Sequence, residues 1–404
     1  MALLDQSSYF PFFQRNGLNE HDRLACNAFA RQHYQDGLVY PIEQQGWCSY
    51  TLVVCYRSPC RLIGEEASPP PKANQIIQFR PQDYRINLDI ASAAKDIYAN
   101  FAPVTLSLGT LTASDGRDLF VYAQTCIRGE AYSLRQPTKQ DLDPDQRGQQ
   151  LALIRSFANL LARGWHFSKT NPHRVQPCNG KVGAKMRAKI EQAAHELPTP
   201  TLRKHARRVL AGINAGGLER LPVVLCHGDL IPSNMLVFVP ESVDGTAAAE
   251  AEEVEAGLPP LPPAAIVGLV DWAEAEWLPF GTCLYGLEYL LGYFNSSGGA
   301  GVGAGGCWVY YSCANELRAA FWRELELRIP ELIADDDGNR LREASDNHSS
   351  PDREVIQLAR DMGVLLWFGF AWDDGRIDRV VGVHDANELR YLEAFLGCDE
   401  RAKI

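Results

Sequence analysis

Three short apolar runs constrain this chain more than any other feature. They are PVVLC, ending at Cys226; NMLVFV, opening at Asn234; and AIVGLV, opening at Ala265. Each is five or six residues long and rich in β-branched or aliphatic side chains. That is too short for a helix to bury a face, so each reads as a short buried strand. Between the first two lies HGDLIPS, a loop of turn-forming and polar residues, and Asp271 closes the third. If the second and third runs pair as an antiparallel hairpin, the start of one lies beside the end of the other. Asn234 and Asp271 then become neighbours although they are far apart in sequence. Much of that separation is Pro240 to Ala264, an Ala-, Glu- and Pro-rich stretch with few large apolar residues. It reads as a disordered insert, and a hairpin can loop it out because closure entropy grows slowly with length.

The hairpin would gather Asp229, Asn234 and Asp271 around one point. A set of oxygen ligands suits a hard ion such as magnesium. A separate carboxylate suits a base that receives a hydroxyl proton. The spacing Asp-x-x-x-x-Asn is that of the catalytic loop of protein kinases, where the Asp takes the acceptor proton and the Asn holds metal. Asp, Pro, Ser and Asn also form turns without any function. The second Asp, at the end of the next paired strand, and the α+β unit upstream separate the two readings.

A length of 404 residues implies two or three packed units, and 46% hydrophobic content can fill their cores. The net charge of −11 and the pI near 5.4 disfavour phosphate backbones and anionic lipid as partners. A small neutral or cationic ligand fits that charge better. No apolar run reaches the length of a membrane span, and MALLDQSSYFPFFQRN has no secretory pattern. The 11 cysteines form no CxxC pair and no Cys/His cluster, which implies buried thiols in a reducing cytoplasm and no zinc site.

The texture of the chain changes near Thr125 to Gly129. Before it, Glu20 to Tyr34 is helical after Asn19 as cap, QQGWCSYTLVVCYR turns into a strand, and EEASPPPKAN turns into the strand QIIQFR. INLDIASAAKDIYANF is a helix ended by Pro103, and two strands flank the turn Ser114 to Gly116. After it, QRGQQLALIRSFANLLARGWHF, KVGAKMRAKIEQAAHEL, ANELRAAFWRELELRI and VIQLARDMGVLLWFGFAW are helical. The expected fold class is therefore α+β: residues 1–126 a mainly antiparallel-sheet unit, residues 127–404 a mainly helical one with strands only around the HGD loop. Ser296 to Gly306 reads as a Gly-rich linker and Asp335 to Asp352 as a surface loop.

HGDLIPSNMLV together with GLVDWAEAEWLPFG resembles the aminoglycoside phosphotransferase and choline kinase-like family, small-molecule kinases with a two-lobed protein-kinase-like fold. The resemblance spans roughly Gln44 to Leu396 and is sharp at these two motifs. It implies ATP and magnesium, Asp229 as catalytic base, His227 bracing its loop, and Asn234 and Asp271 as metal ligands. Ile231 stands where many members have a His. By the same resemblance, Gly46, Ser49 and Tyr50 form a nucleotide loop, with Gly46 allowing close backbone approach and amides near phosphate. Arg80, on a strand, would grip phosphate oxygens. Asp89, or Asp96 second, stands for the Glu that usually orients such a cation. Residues Ala123 to Cys126, including Thr125, are expected to bind adenine through backbone groups.

The acceptor would be a small molecule. Trp367, Phe370, Trp372, Asp373 and Asp374 fall near the end of a late helix, where aromatics and carboxylates could hold a cation, or simply form core and an acidic helix end. Glu274 and Glu276 follow Asp271 closely and are further candidates. Two other readings stay open: a nucleotide-binding pseudokinase, and a kinase fold repurposed for another reaction. A protein kinase fits less well, because Gly228 stands where the catalytic Asp is usually preceded by Arg, and no Asp-Phe-Gly follows.

Overall fold

Alternation along Leu119–Tyr122 decides how the first unit is layered. Leu119 and Val121 point to one side of a sheet, Phe120 and Tyr122 to the other. The computed structural model describes residues 10–43, 45–56, 73–238, 264–296, 306–333, 351–373 and 376–398. The chain divides into two units, Met1–Arg128 and Gly129–Ile404.

In the first unit, helices α1 (Phe10–Arg15) and α2 (Glu20–His33) precede strands β1 (Leu38–Pro41), β2 (Tyr50–Cys55) and β3 (Ala73–Arg80). Helix α3 (Leu88–Tyr98) and strands β4 (Thr105–Thr112) and β5 (Asp118–Thr125) follow. The five strands form one antiparallel sheet in the order β1-β2-β3-β5-β4. Phe12 and Phe13 of α1 and Cys26 and Ala30 of α2 pack with Tyr50, Leu52, Ile77, Phe79, Leu119 and Val121. Ala91 of α3 packs with Tyr122 and Phe120 on the opposite face. All six residues of β2 are buried, as a strand covered on both faces requires.

Helix α2 starts where its cap predicts. The Asn19 side chain accepts from the N–H groups of His21 and Asp22, and Asp22 bonds back to the Asn19 N–H in a capping box. Asp22 also accepts from the Ser114 N–H and hydroxyl, tying α2 to the β4–β5 turn. The helix expected to run to Pro103 stops earlier: α3 ends at Tyr98, and Ala99 takes a positive φ of 51° before a 3₁₀ turn. Lys95 Nζ bonds the carbonyls of Ala99 and Ala102 and satisfies that end locally.

The second unit begins with β6 (Glu130–Ala131) and helices α4 (Tyr132–Arg135), α5 (Pro144–Thr170), α6 (Met186–Glu196) and α7 (Pro200–Asn214). Strands β7 (Val223–Cys226), β8 (Met235–Phe238), β9 (Ala265–Leu269) and β10 (Glu276–Pro279) follow, then α8 (Tyr285–Tyr289), β11 (Gly292–Asn295) and β12 (Cys307–Tyr310). Helices α9 (Ala314–Arg328) and α10 (Pro351–Phe368), strands β13 (Phe370–Asp373) and β14 (Arg376–Val380), and α11 (Ala386–Phe395) complete it. Helix α5 is launched by Asp143 as N-cap with Pro144 at its first position, and its Phe157 packs on Phe321 of α9. Helix α7 lies outside the sequence expectation. Its signal was Thr199-Pro200, an N-cap followed by Pro, and the Thr199 hydroxyl does accept the Leu202 N–H.

The expectation of strands only around the HGD loop is corrected. β11 pairs with β12 and β13 with β14, each as a two-stranded antiparallel ribbon. Gly369 breaks the apolar run after Phe368, so Phe370–Asp373 is a strand and not the end of a helix. The insert expected at 240–264, the linker at 296–306, the loop at 335–352 and the turn at 65–74 lie largely outside the described residues. No helix among the described residues is long and apolar enough to cross a membrane.

Candidate active site

β8 and β9 pair antiparallel, Met235 opposite Leu269 and Phe238 opposite Ala265. The Val270 N–H continues the ladder to the Asn234 carbonyl at 3.0 Å. Asn234 and Asp271 are thereby brought to the same end of one hairpin. β7, which delivers the loop, pairs instead with β10, Cys226 opposite Glu276. The loop is thus anchored by two different sheets.

Gly228 makes the turn between them possible. Its φ is +84°, a conformation that favours glycine, and a Cβ there would lie 2.5 Å from the Glu274 carbonyl carbon. The residue before Asp229 is glycine because no side chain fits. Asp229 then sits where its carboxylate and its own carbonyl both receive the Asn234 Nδ2 group, at 2.8 and 3.0 Å. The Ile231 N–H returns to the Asp229 carbonyl, and the Asn234 N–H to that of Ile231. Burial, together with the charge of Asp271, pushes the Asp229 carboxyl up to about 6. Because the amide nitrogen of Asn234 is committed to Asp229, its oxygen remains as the acceptor end. Asp271 is exposed and itself takes the left-handed conformation, φ 62° and ψ 64°. An amide oxygen and a carboxylate are hard donors that fit magnesium, whose other positions phosphate and water can fill. Among the described residues no group of three or more His, Cys, Asp or Glu could hold a metal alone.

His227 is 2% exposed and packs 4.6 Å from the Trp272 ring. Its Nδ1 accepts the Asp229 N–H, so Nε2 carries the proton and donates to the Val270 carbonyl at 2.9 Å. Burial pushes its pKa down to about 4, which keeps the ring neutral. One side chain therefore links the Asp229 loop to the end of β9. Two further braces were not read from the sequence. The Tyr285 hydroxyl accepts the Leu230 N–H at 3.1 Å. Cys283 meets the Cys226 thiol and the backbone N–H groups of Gly228 and His227; these outweigh burial and hold its pKa low. Tyr285 and Cys283 come from a segment distant in sequence, with no local signal to mark them.

The other expected residues fall in several places. Glu276 accepts from the N–H groups of Val182 and Gly183 at 2.8 and 2.9 Å, so it holds that turn. Glu274 is exposed, 3.8 Å from Lys181. Trp367 stacks on Tyr285, ring centroids 5.1 Å apart, one contact away from the loop. Phe370 is buried beneath Lys189 Nζ. Asp373 lies on β13 and forks with Arg379 at 2.8 and 3.0 Å, which holds its carboxyl below the usual range. The backbone of Trp372 belongs to β13, and Asp374 lies outside the described residues.

In the first unit, Arg80 ends β3, 2% exposed, with Nη1 bonded to Gln78. It is not a solvated strand-end charge. Asp89 is exposed in the first turn of α3, its N–H held by the Asn87 side chain. Tyr50 is fully buried among Phe12, Phe13 and Phe79, and Ser49 bonds Thr51, so only their backbones remain for a ligand. A Cβ at Gly46 would meet only Ser49 Oγ, at 3.8 Å. Gln45, missed in the sequence, closes this loop through the Thr51 N–H and the carbonyls of Thr51 and Ile42. The Thr125 N–H donates to the Val104 carbonyl at 3.0 Å and its hydroxyl accepts the Val104 N–H at 2.9 Å, so Thr125 is held by the approach to β4 and Cys126 follows the end of β5.

Residues 86–245 match the model of the phosphotransferase enzyme family. No curated protein matches the chain. Among solved structures it is similar to wild-type aminoglycoside 2'-phosphotransferase-IIIa in complex with GDP, at 11% identity and a TM-score of 0.47, over 93% of this chain and 99% of that one. A putative aminoglycoside phosphotransferase from Ralstonia eutropha JMP134 aligns at 13% identity and TM-score 0.46, over 95% and 99%. Choline kinase LicA from Streptococcus pneumoniae aligns at 11% identity and TM-score 0.43, over 94% and 100%.

Proposed function

Because residues 86–245, which contain the whole HGD loop, match the phosphotransferase enzyme family, we propose that this protein transfers the γ-phosphoryl group of ATP to a hydroxyl of a small molecule. One observation carries the reading. The Asp229 carboxylate is oriented at 2.8 Å by the Asn234 amide nitrogen, at the end of the hairpin that also leads to Asp271, and the Asn234 amide oxygen remains as the acceptor end. Asp229 takes the hydroxyl proton as the nucleophile attacks. Its raised pKa, about 6, suits a base that accepts a proton in the transition state and releases it afterwards.

Asn234 and Asp271 would hold magnesium, which would supply positive charge against the phosphates of the nucleotide. Arg80 and the backbone of residues 46–50 are the proposed phosphate contacts, and the backbone of Ala123 to Cys126 the proposed adenine contact. His227 acts through Asp229: it positions the loop and, being neutral, adds no positive charge that would lower the basicity of the Asp229 carboxylate. Little covalent help is needed for phosphoryl transfer, so positioning and charge are the protein's contribution.

ATP turnover measured across small alcohols, amino alcohols and sugars, with Asp229→Asn as blank, tests the reading. Acceptor-dependent ADP release that vanishes in the blank supports it. Magnesium-dependent ATP binding with no acceptor ever phosphorylated would favour a pseudokinase or a repurposed fold.

A further inference from the structure

Helix α8 serves two neighbours. Tyr285 holds the Leu230 N–H, while Leu287 and Glu288 line a cavity of about 500 Å³ that α7, α9, α10 and the end of α11 complete. Its polar wall is unusual for an acidic chain. Among the lining residues, three arginines, Arg208, Arg318 and Arg360, stand with two carboxylates, Glu288 and Asp361. Both carboxylates already accept three hydrogen bonds each. Glu288 accepts from Arg360 at 2.6 Å, from the Tyr310 hydroxyl at 2.8 Å and from Arg318 at 3.1 Å. Asp361 accepts from Arg360 at 2.8 Å, Arg208 at 3.0 Å and Gln357 at 3.2 Å.

The arginines are not satisfied in the same way. Each guanidinium carries five N–H donors. Arg208 gives donors to Asp361 and to His205 Nδ1, and Arg318 to Glu288 and Asn315. Their side chains are 63% and 33% exposed, at the open side of the cavity. Fifteen arginine N–H donors thus face two carboxylates that already accept three hydrogen bonds each, so donors are in excess and the wall carries one net positive charge. The rest of the lining includes Leu287, Trp322 and Phe395, an apolar and partly aromatic floor.

We propose that this cavity is a second ligand site, separate from the HGD loop, for a small organic anion: a flat apolar body bearing one carboxylate or phosphate. The anion meets Arg318 and Arg208, whose planar forks match either group, and the body lies over Trp322 and Leu287. The buried Arg360 bridges Glu288 and Asp361 and holds the wall in place.

Titration calorimetry on the full chain tests this with 2-naphthoate, 2-naphthyl phosphate, the neutral 2-naphthalenemethanol and the cationic 2-naphthylmethylammonium. One or both anions should bind on the order of ten-fold or more tighter than the alcohol, as a hydrogen bond to a charged group implies, and the ammonium more weakly still. Which anion wins separates a carboxylate from a phosphate ligand. Arg318→Gln and Arg208→Ala should each weaken the preferred anion roughly ten-fold. Arg208 is largely exposed, so that variant keeps the test valid if Arg318→Gln does not fold. Asp229→Asn and saturating magnesium-ATP should leave the titration unchanged. Equal affinity for anion and alcohol, indifference to both arginine variants, displacement by ATP, or no anion binding at millimolar concentration would each overturn the proposal.

Discussion

Gly228→Ala puts the geometry of the HGD loop to a quantitative test. Two costs combine at that position. An L-residue at φ +84° loses roughly 1–2 kcal/mol, partly offset by about 0.4–1 kcal/mol from a stiffer unfolded chain. The new Cβ also overlaps the Glu274 backbone, and overpacking of this kind costs about 1–3 kcal/mol more. Gly397→Ala is the matched control. It has φ +70° and nothing within 4 Å of its added Cβ, and it lies in the same unit. The difference between the two variants therefore isolates the overlap. It should be about 1–3 kcal/mol by denaturant unfolding, or several degrees in Tm for a unit of this size. Relief of the overlap must move either the Glu274 backbone, three residues after Asp271, or residue 228 itself, next to Asp229. Phosphoryl transfer should therefore fall by about ten-fold or more in Gly228→Ala, because an error near 1 Å at reacting groups costs on that order. Gly397→Ala should keep its rate. A Gly228→Ala protein as stable and as active as its control would refute the argument.

Asp229→Asn should lower kcat by roughly 10²–10⁴-fold while ATP affinity, by calorimetry, stays close to the original. Asp271→Ala should abolish the magnesium dependence of ATP binding, and equal affinities with and without magnesium in the unmutated protein would remove the metal assignment. The His227 ring, held neutral by burial with a pKa near 4, should cost stability on acidification. In the unfolded chain it protonates first, so stability it supports is full above about pH 6.5 and lost as pH falls towards 4. The stability difference between the unmutated protein and His227→Gln should shrink over that window, and a flat difference would place the proton elsewhere. Because Phe238 and Ala265 already pair, a short Gly/Ser turn in place of residues 240–262 should change Tm by less than about 3 °C.

Local chemistry made much of this molecule legible in advance. The five- and six-residue apolar runs became β7, β8 and β9 because they are too short to bury a helical face, and Asn19 marks the start of α2. The hairpin that unites Asn234 with Asp271 is expected from two short apolar runs; the structure pairs them and buries Met235, Val237, Ile266 and Leu269, while a bulge between Leu236 and Val237 shifts the register by one residue, which no local pattern announced. Tertiary context decided the rest. Whether a Glu near the motif faces outward or ties down a turn depends on what the chain brings opposite it: Glu276 met two N–H groups, and Glu274 met solvent and a distant lysine. Asp373 looked like a helix-end carboxylate until Gly369 let the chain reverse and Arg379 arrive across a ribbon. Tyr285, Cys283 and the arginines around Glu288 carry no local pattern, because a buried polar group is defined by partners far along the chain. Period, cap and turn chemistry act over a few residues, whereas burial and hydrogen-bond satisfaction exist only once the whole chain has packed.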